Sequence, residues 1–168
     1  MKVLTLTQPW ATLVALGAKM IETRSFYVGY RGPLLIHAAK GFPLDCRELC
    51  NLMPFSGVLV PHGYDANNLP LGVILCETEL VDCLKADTVA NAMPSYSECE
   101  HEADFGDYSS GRFAWLLRCR IVRTFDPPIP AKGALGLWSF DIEAALRGPA
   151  ELAFGAAGNE KRETGNAL

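Results

Sequence analysis

The chain contains no run of apolar residues long enough to span a membrane. Its 168 residues are 49% hydrophobic and 20% charged, which is typical of a globular domain with a sizeable core. Residues 1–5 alternate as a strand does and lack the apolar block and the cleavage site of a signal peptide. We therefore expect a cytoplasmic protein that makes no contact with a membrane.

The six cysteines lack the spacing of a metal site. They stand at positions 46, 50, 76, 83, 99 and 119, without a CxxC pair or a Cys/His spacing typical of zinc. Cys46, Leu49, Cys50 and Met53 instead follow the i, i+3, i+4, i+7 spacing of one helix face. We expect free thiols that pack as small apolar side chains, and we expect no metal, disulfide or other cofactor.

Positive charge is also scarce. The chain has 15 Lys and Arg against 19 Asp and Glu, a formal net charge of −4, which argues against a protein that grips long nucleic acid mainly through its phosphates. Five acids and no Lys or Arg lie between Glu98 and Asp107. Without this acidic segment 14 acidic and 15 basic residues remain, so the composition is compatible with a locally basic face.

Apolar periodicity predicts a mixture of short strands and short helices. Strands are expected at residues 3–6, 19–26, 32–38, 71–81, 112–122 and 136–142. Helices are expected at residues 9–17, 43–53 and 86–92. Residues 54–70 are expected to form a loop, and the proline-rich residues 126–130 an extended linker.

These elements place the chain in the α+β class. About six strands with two to four short peripheral helices fit a small mixed β-barrel, because closure removes exposed strand edges. The domain is expected to cover residues 1–147, and the polar, Ala/Gly-rich residues 148–168 a flexible tail.

The strand predicted at residues 112–122 has an apolar face and a basic face. Alternation puts one set of side chains toward the core: Phe113, Trp115, Leu117, Cys119 and Ile121. Arg112, Arg118 and Arg120 take the opposite face. Arg118 and Arg120 are interpreted as a solvated strand face, with phosphate contact as the alternative.

Two ordered motifs near the N-terminus carry a family resemblance. Residues 4–11 read LTLTQPWA and residues 17–24 read GAKMIETR. They resemble the LxLxQPWAxL and GxKxxExR signature of the ASCH family, with every fixed position present. Further similar segments, of which the last three resemble versions found in bacteria and their phages, lie at residues 30–32, 72–74, 105–108, 111–117 and 132–138.

The resemblance implies a PUA-like barrel whose cleft contains the GxKxxExR residues. Proteins with this fold include RNA-binding modules, a transcription-coactivator domain thought to contact nucleic acid, and small amidohydrolases that act on acylated cytidine. Ribonuclease activity has also been proposed within the family. The expected partner is therefore RNA, single-stranded nucleic acid, or a nucleotide or nucleoside. The expected cleft residues are Gln8, Trp10, Lys19, Glu22, Arg24, Lys40, Lys132 and Trp138.

Lys19 and Glu22 are also the candidate catalytic residues. Without the resemblance, Glu22 and Arg24 read as a solvated surface ion pair worth about 0–1 kcal/mol. In the amidohydrolase branch the motif is GxKxxTxR, in which Thr is the candidate nucleophile and Lys its activator. Here Glu22 stands at the Thr position, and its charge favours the ammonium form of Lys19, which is a poor base.

Two functions therefore stay open, ligand binding and hydrolysis without a metal, and a third possibility is a protein-interaction accessory domain whose cleft is vestigial. In the second, Glu22 acts as a general base on water while Lys19 or Arg24 stabilises an oxyanion or a phosphate. The acidic third partner of the amidohydrolase branch has three unaligned candidates: Glu98, Glu100 and Glu102.

Three further side chains have two interpretations each. Trp10 and Trp138 are expected either to pack in the core or to stack on a base, which is worth about 1–3 kcal/mol in single-strand sites. Gln8 is expected either to pair with a base edge or to cap the first helix. Trp115 is expected to be a core residue, and His37 is expected to be a hydrogen-bonded, partly buried histidine and not a catalyst.

Overall fold

The computed structural model describes residues 1–118 and 121–147. Seven strands are present in these residues: β1 (Lys2–Leu6), β2 (Ile21–Arg24), β3 (Gly32–Ala38), β4 (Val73–Lys85), β5 (Phe113–Leu117), β6 (Arg123–Pro130) and β7 (Leu137–Ser139). Four short α-helices accompany them: α1 (Trp10–Ala15), α2 (Leu44–Leu49), α3 (Phe55–Leu59) and α4 (Ala86–Ala90). Residues 142–147 are also helical, and short 3₁₀ turns cover Val60–His62, Met93–Ser95 and Glu102–Phe105.

The strands form one mixed sheet in the order β2-β5-β4-β3-β1-β7, with β6 also paired to β4. The β1–β3 pair is parallel, and the other described pairs are antiparallel. This arrangement confirms the α+β class and the short peripheral helices.

The 13-residue strand β4 organises the sheet. One of its edges pairs with β3, and the other pairs first with β6 and then with β5. Register shifts interrupt all three pairings, and such bulges bend a strand locally. Strands β5 and β6 therefore lie end to end along one edge of β4.

The prediction of a closed barrel is wrong. In the described part of the chain, the end strands β2 and β7 do not pair with each other. The reason is the path of residues 113–130, which stay beside β4 as two successive strands. No strand from this segment is left to bridge the ends of the sheet.

The proline-rich residues 126–130 are part of a strand, so the linker prediction is wrong there. Ile129 pairs with Ile74, and Pro130 pairs with Val73. β6 pairs with β4 and with no second strand among the described residues. Proline is tolerated in such an edge strand because its missing N–H faces away from the ladder.

The helix predicted at residues 43–53 is shorter than expected. α2 ends at Leu49, and α3 begins at Phe55 inside the segment predicted as a loop. Pro54 disfavours a helical conformation at the residue before it, so the predicted apolar stripe does not continue to Met53. That side chain is 72% exposed.

The core is divided between the sheet and the helices. Trp115 is fully buried with Leu4, Ile36 and Leu80 in the main cluster, and a second cluster lies under α1, α2 and α3. The thiols of Cys46, Cys50, Cys76 and Cys83 are free. Cys76 is fully buried in the main cluster, which confirms that its thiol packs as an apolar core group. This burial raises the pKa of the thiol to about 12.

Some predictions fall on residues that the structure does not describe. These are the placement of Cys119 and Arg120 and the flexible tail at residues 148–168. Among the described residues, no helix is long and apolar enough to cross a membrane.

Candidate functional site

The GxKxxExR motif forms the turn from α1 into β2. Gly17 has a φ of 72°, a left-handed conformation that ends the helix at little cost for glycine. The N–H groups of Ala18 and Lys19 then both donate to the carbonyl of Leu13. Lys19 consequently lies just before β2.

Lys19 is buried between two carboxylates. Its Nζ lies 3.8 Å from Oε2 of Glu22 and 3.8 Å from Oε1 of Glu102, and its side chain has no exposed surface. The same ammonium donates a hydrogen bond to the carbonyl oxygen of Ile21. Lys19 therefore supports Glu22 from inside the protein and does not line the cleft described below.

Glu102, the second carboxylate beside Lys19, was not distinguished in the sequence from the other acidic candidates. Its Oε2 accepts hydrogen bonds from the backbone N–H of Met20 at 2.7 Å and from Ser97 Oγ at 2.8 Å, and its Oε1 accepts one from the N–H of Ile21 at 3.0 Å. These bonds fix the carboxylate beside Lys19. Of the three acidic candidates named from the sequence, Glu102 is buried, whereas Glu98 and Glu100 are exposed.

Glu22 faces the other way, toward a cleft. Its carboxylate lies 3.6 Å from Nη1 of Arg24, as expected for two side chains on the same face of a strand. Burial raises the pKa of Glu22, against the opposing positive charges of Lys19, Arg24 and Arg112. Glu22 is therefore a carboxyl group with an increased proton affinity in the wall of the cleft.

The cleft has a volume of about 510 Å³ and lies between β2 and α2. Glu22, Arg24 and Arg112 line one side, whereas Trp10 and Pro43 line it from the helical side. Arg112 is held in place, because it donates hydrogen bonds to the carbonyls of Thr23 and Asp107, each at 3.1 Å.

Arg24 is less firmly bound than Arg112. Its buried Nε has no hydrogen-bond partner, and its guanidinium carbon lies 5.8 Å from the centroid of the Phe26 ring. Trp10 is partly exposed, and its ring meets the edge of Phe55 at 5.9 Å between centroids. Both side chains line the cleft and are partly exposed there.

The remaining residues predicted for the cleft lie elsewhere. Gln8 is fully buried, and its side-chain amide makes two hydrogen bonds. Oε1 accepts from the N–H of Thr12, and Nε2 donates to the carbonyl of Pro70. This is the helix-capping role that the sequence left open. Trp138 donates from Nε1 to Thr5 Oγ1 at 3.0 Å and packs in a separate cluster.

Lys40 and Lys132 line a second cavity of about 1130 Å³. The structure therefore brings Trp10, Glu22 and Arg24 to one cleft with Lys19 directly behind it. It places the two other predicted lysines outside that cleft.

Residues 4–128 match the family model of the ASCH domain. Two curated relatives are both called activating signal cointegrator 1: the mouse protein is 30% identical over 141 residues, and the human protein 29% identical over 143 residues. Each alignment covers 82% of this chain but 22% of the relative, so the chain spans about a fifth of their length. A crystal structure of ASCH from Zymomonas mobilis aligns with a TM-score of 0.48 at 14% identity, over 87% of this chain and 92% of that chain.

Proposed function

The chain belongs to the ASCH domain family, and from this membership and the geometry of the cleft we propose that it binds single-stranded RNA or a nucleotide-like ligand. The observation that carries the proposal is the convergence of three kinds of group in one cleft. These are the indole of Trp10, the carboxyl group of Glu22 and the guanidinium groups of Arg24 and Arg112. Aromatic stacking, base-edge hydrogen bonding and backbone contact are the means by which unpaired nucleotides are recognised.

The size of the cleft limits the ligand. Its volume of about 510 Å³ falls within the range of about 300–1,000 Å³ that small-molecule sites occupy. A site of this size takes one or two nucleotides, and a duplex does not enter it. The overall charge of −4 supports the same choice, because long nucleic acid is held mainly by phosphate contacts.

Each group in the cleft has a distinct role in this proposal. Trp10 supplies the face on which a base stacks. Arg24, whose side chain is 27% exposed, donates from its guanidinium group to a phosphate or a base edge. Glu22 accepts from an exocyclic amino group, as carboxylates do with cytosine. The buried Lys19 and Glu102 hold Glu22 in position.

Cytidine, which is uncharged, tests the stacking role without any phosphate contact. Replacing Trp10 with leucine should weaken cytidine binding by about 5- to 150-fold, which corresponds to about 1–3 kcal/mol for one stacked base. Isothermal titration calorimetry measures the affinity. Trp138→Leu is the matched control, because Trp138 is also partly buried but lies outside the cleft. Equal losses in the two variants would contradict the proposal.

Metal-independent hydrolysis of an acylated cytidine or of RNA is the second candidate function, and the raised pKa of Glu22 favours it. A carboxyl group in a cleft with a pKa moved toward neutral pH suits a general base. Lys19, however, is surrounded by acceptors and does not line the cleft. We therefore expect little or no acylcytidine hydrolysis by the wild-type protein.

A hydrolysis assay with acylated cytidines and short RNAs separates the two functions. Glu22→Thr restores the motif of the amidohydrolase branch and keeps Lys19 and Glu102, whose charged atoms are 3.8 Å apart, so this variant should gain a trace of acylcytidine hydrolysis. Robust wild-type turnover that disappears in Glu22→Gln would make hydrolysis the main function.

A further inference from the structure

The second cavity differs from the cleft in its charge. Lys40 and Lys132 line it, and no carboxylate does so among the described residues. The cleft, in contrast, has Glu22, Asp104 and Asp107 in its lining. Although the chain has a net charge of −4, a concave site whose described lining has two lysines and no acid creates a local positive electrostatic potential.

His37 supports the wall of this cavity. The residue is 1% exposed, and its Nε2 lies 3.1 Å from the carbonyl oxygen of Ala131. Because a carbonyl only accepts, Nε2 carries the proton of the neutral ring and Nδ1 keeps its lone pair. That Nδ1 is buried and has no hydrogen-bond partner. Burial lowers the pKa of His37, so the ring adds no positive charge at neutral pH.

Gly133 fixes the loop that carries Lys132. A Cβ at position 133 would lie 2.6 Å from Cε1 and 2.9 Å from Nδ1 of His37, which no side chain tolerates without a shift. The backbone at Gly133 therefore rests directly on the imidazole. This close approach positions Lys132 at the rim of the cavity that Lys40 also lines.

The cavity adjoins the cleft along two stretches of the chain. Thr5 lines the cavity and Thr7 lines the cleft, and Lys40 lines the cavity while Pro43 lines the cleft. Three residues of extended chain span at most about 11 Å. A ligand that leaves the cleft at this point therefore meets the two lysines within the length of a short oligonucleotide.

We propose that the cavity lined by Lys40 and Lys132 is an anion site that takes a phosphate group of the nucleotide ligand. Lysine binds phosphate as a point charge through three donors, and the absence of an acid from the described lining leaves both ammonium groups available. The assignment of the phosphate to a nucleotide rests on the proposed function of the cleft. The affinity of the cavity for inorganic phosphate does not depend on the proposed function of the cleft.

Two-dimensional ¹H–¹⁵N NMR with three probes tests the anion site: inorganic phosphate, cytidine and cytidine 5′-monophosphate. Phosphate should shift the amides of Gly72 and Gly133 and saturate. Cytidine should shift those of Thr23 and Gly106, in the cleft. The monophosphate should shift both groups of amides.

Variants connect the phosphate shifts to the lysines. Lys40→Ala and Lys132→Ala should each weaken phosphate binding by about tenfold, the effect of losing one charged donor. Lys2→Ala removes the same charge at the opposite end of β1 and should leave phosphate binding unchanged. Gly133→Ala should weaken phosphate binding by displacing the loop, while cytidine binding stays the same.

The possible failures are distinguishable. If cytidine shifts the cleft but phosphate produces no saturable shift at Gly72 and Gly133, the anion site is wrong and the proposed function stands. If phosphate saturates the cavity but neither cytidine nor its monophosphate shifts the cleft, the anion site stands and its link to a nucleotide is wrong. Equal effects of Lys2→Ala and Lys40→Ala would also overturn the anion site.

Discussion

At the scale of single residues, Glu22 and Glu102 lie at the same distance from Lys19 but differ in their hydrogen bonds. Glu102 accepts three, two of them from backbone N–H groups. Glu22 has ion pairs with Lys19 and Arg24 but no hydrogen-bond donor among the described residues. Glu102 is thus an anchor, whereas Glu22 retains acceptor capacity that a ligand in the cleft can use.

The raised pKa of Glu22 makes a prediction about pH. A folded-state pKa above the unfolded value contributes stability that is present at low pH and is lost as pH rises through the folded pKa. The free energy of unfolding of Glu22→Gln, measured relative to that of the wild type, should therefore increase as the pH rises from about 4 to about 7. Urea unfolding at both pH values measures the difference in the free energy of unfolding. A difference that is constant or moves the other way would show that the ion pairs outweigh the cost of burial.

Residue roles were predictable where strand alternation applies. Glu22 and Arg24 are two apart, so the same-face prediction required no tertiary information, and their atoms are 3.6 Å apart. Glu102 was not predictable in this way. It lies in an acidic run whose four other members are all exposed: Glu98, Glu100, Asp104 and Asp107. Its burial depends on two N–H groups from residues 20 and 21. The aromatic Phe105, three positions later and also buried, was the one local sign of a core contact.

At the scale of elements, Glu102 joins the 3₁₀ turn Glu102–Phe105 to the start of β2. β2 pairs with β5, and no second strand covers its other side among the described residues. The Glu102 carboxylate satisfies the N–H groups of Met20 and Ile21 at this point. It does so in place of a neighbouring strand.

Replacing Glu102 with glutamine should therefore destabilise the fold. The amide group of glutamine would place an N–H donor against the backbone N–H groups that Glu102 now accepts from. It would also break the buried ion pair with Lys19, and breaking a buried ion pair costs about 3–5 kcal/mol. The free energy of unfolding in urea measures this loss. Glu100→Gln is the control, because that side chain is exposed and its replacement should change stability by less than about 0.5 kcal/mol. Similar small effects of both variants would contradict the anchoring role.

The elements that sequence patterns missed depend on pairing between distant segments. Residues 126–130 read as a linker because of their prolines, yet they belong to the edge strand β6, in which Ile129 and Pro130 pair with β4. β4 itself runs to Lys85 and not to residue 81, because β5 continues the ladder beyond the bulge at Leu80/Asp82. Local propensity does not contain this information, whereas the apolar runs of β1 and β3 were sufficient to place those strands.

At the scale of the whole molecule, charge is divided between two concave sites. The cleft mixes two arginines with acids, and the second cavity has two lysines without an acid in its described lining. The composition showed that a net charge of −4 leaves room for a locally basic face. It did not predict the separation of Lys40 and Lys132 from the GxKxxExR residues, because this separation depends on how distant segments of the chain pack together.

The most direct test of the central claim compares two arginines by titrating a short labelled single-stranded RNA at several salt concentrations. Arg24 lines the cleft, whereas Arg118 is exposed and paired with Glu79 outside it. Fluorescence anisotropy should show modest affinity that weakens with salt at a shallow slope, between about −0.7 and −2 for one to three phosphate contacts. Arg24→Ala should weaken binding by about tenfold or more, and Arg118→Ala by less than about twofold. Equal losses from the two substitutions would show that RNA binds a diffuse surface and not the cleft.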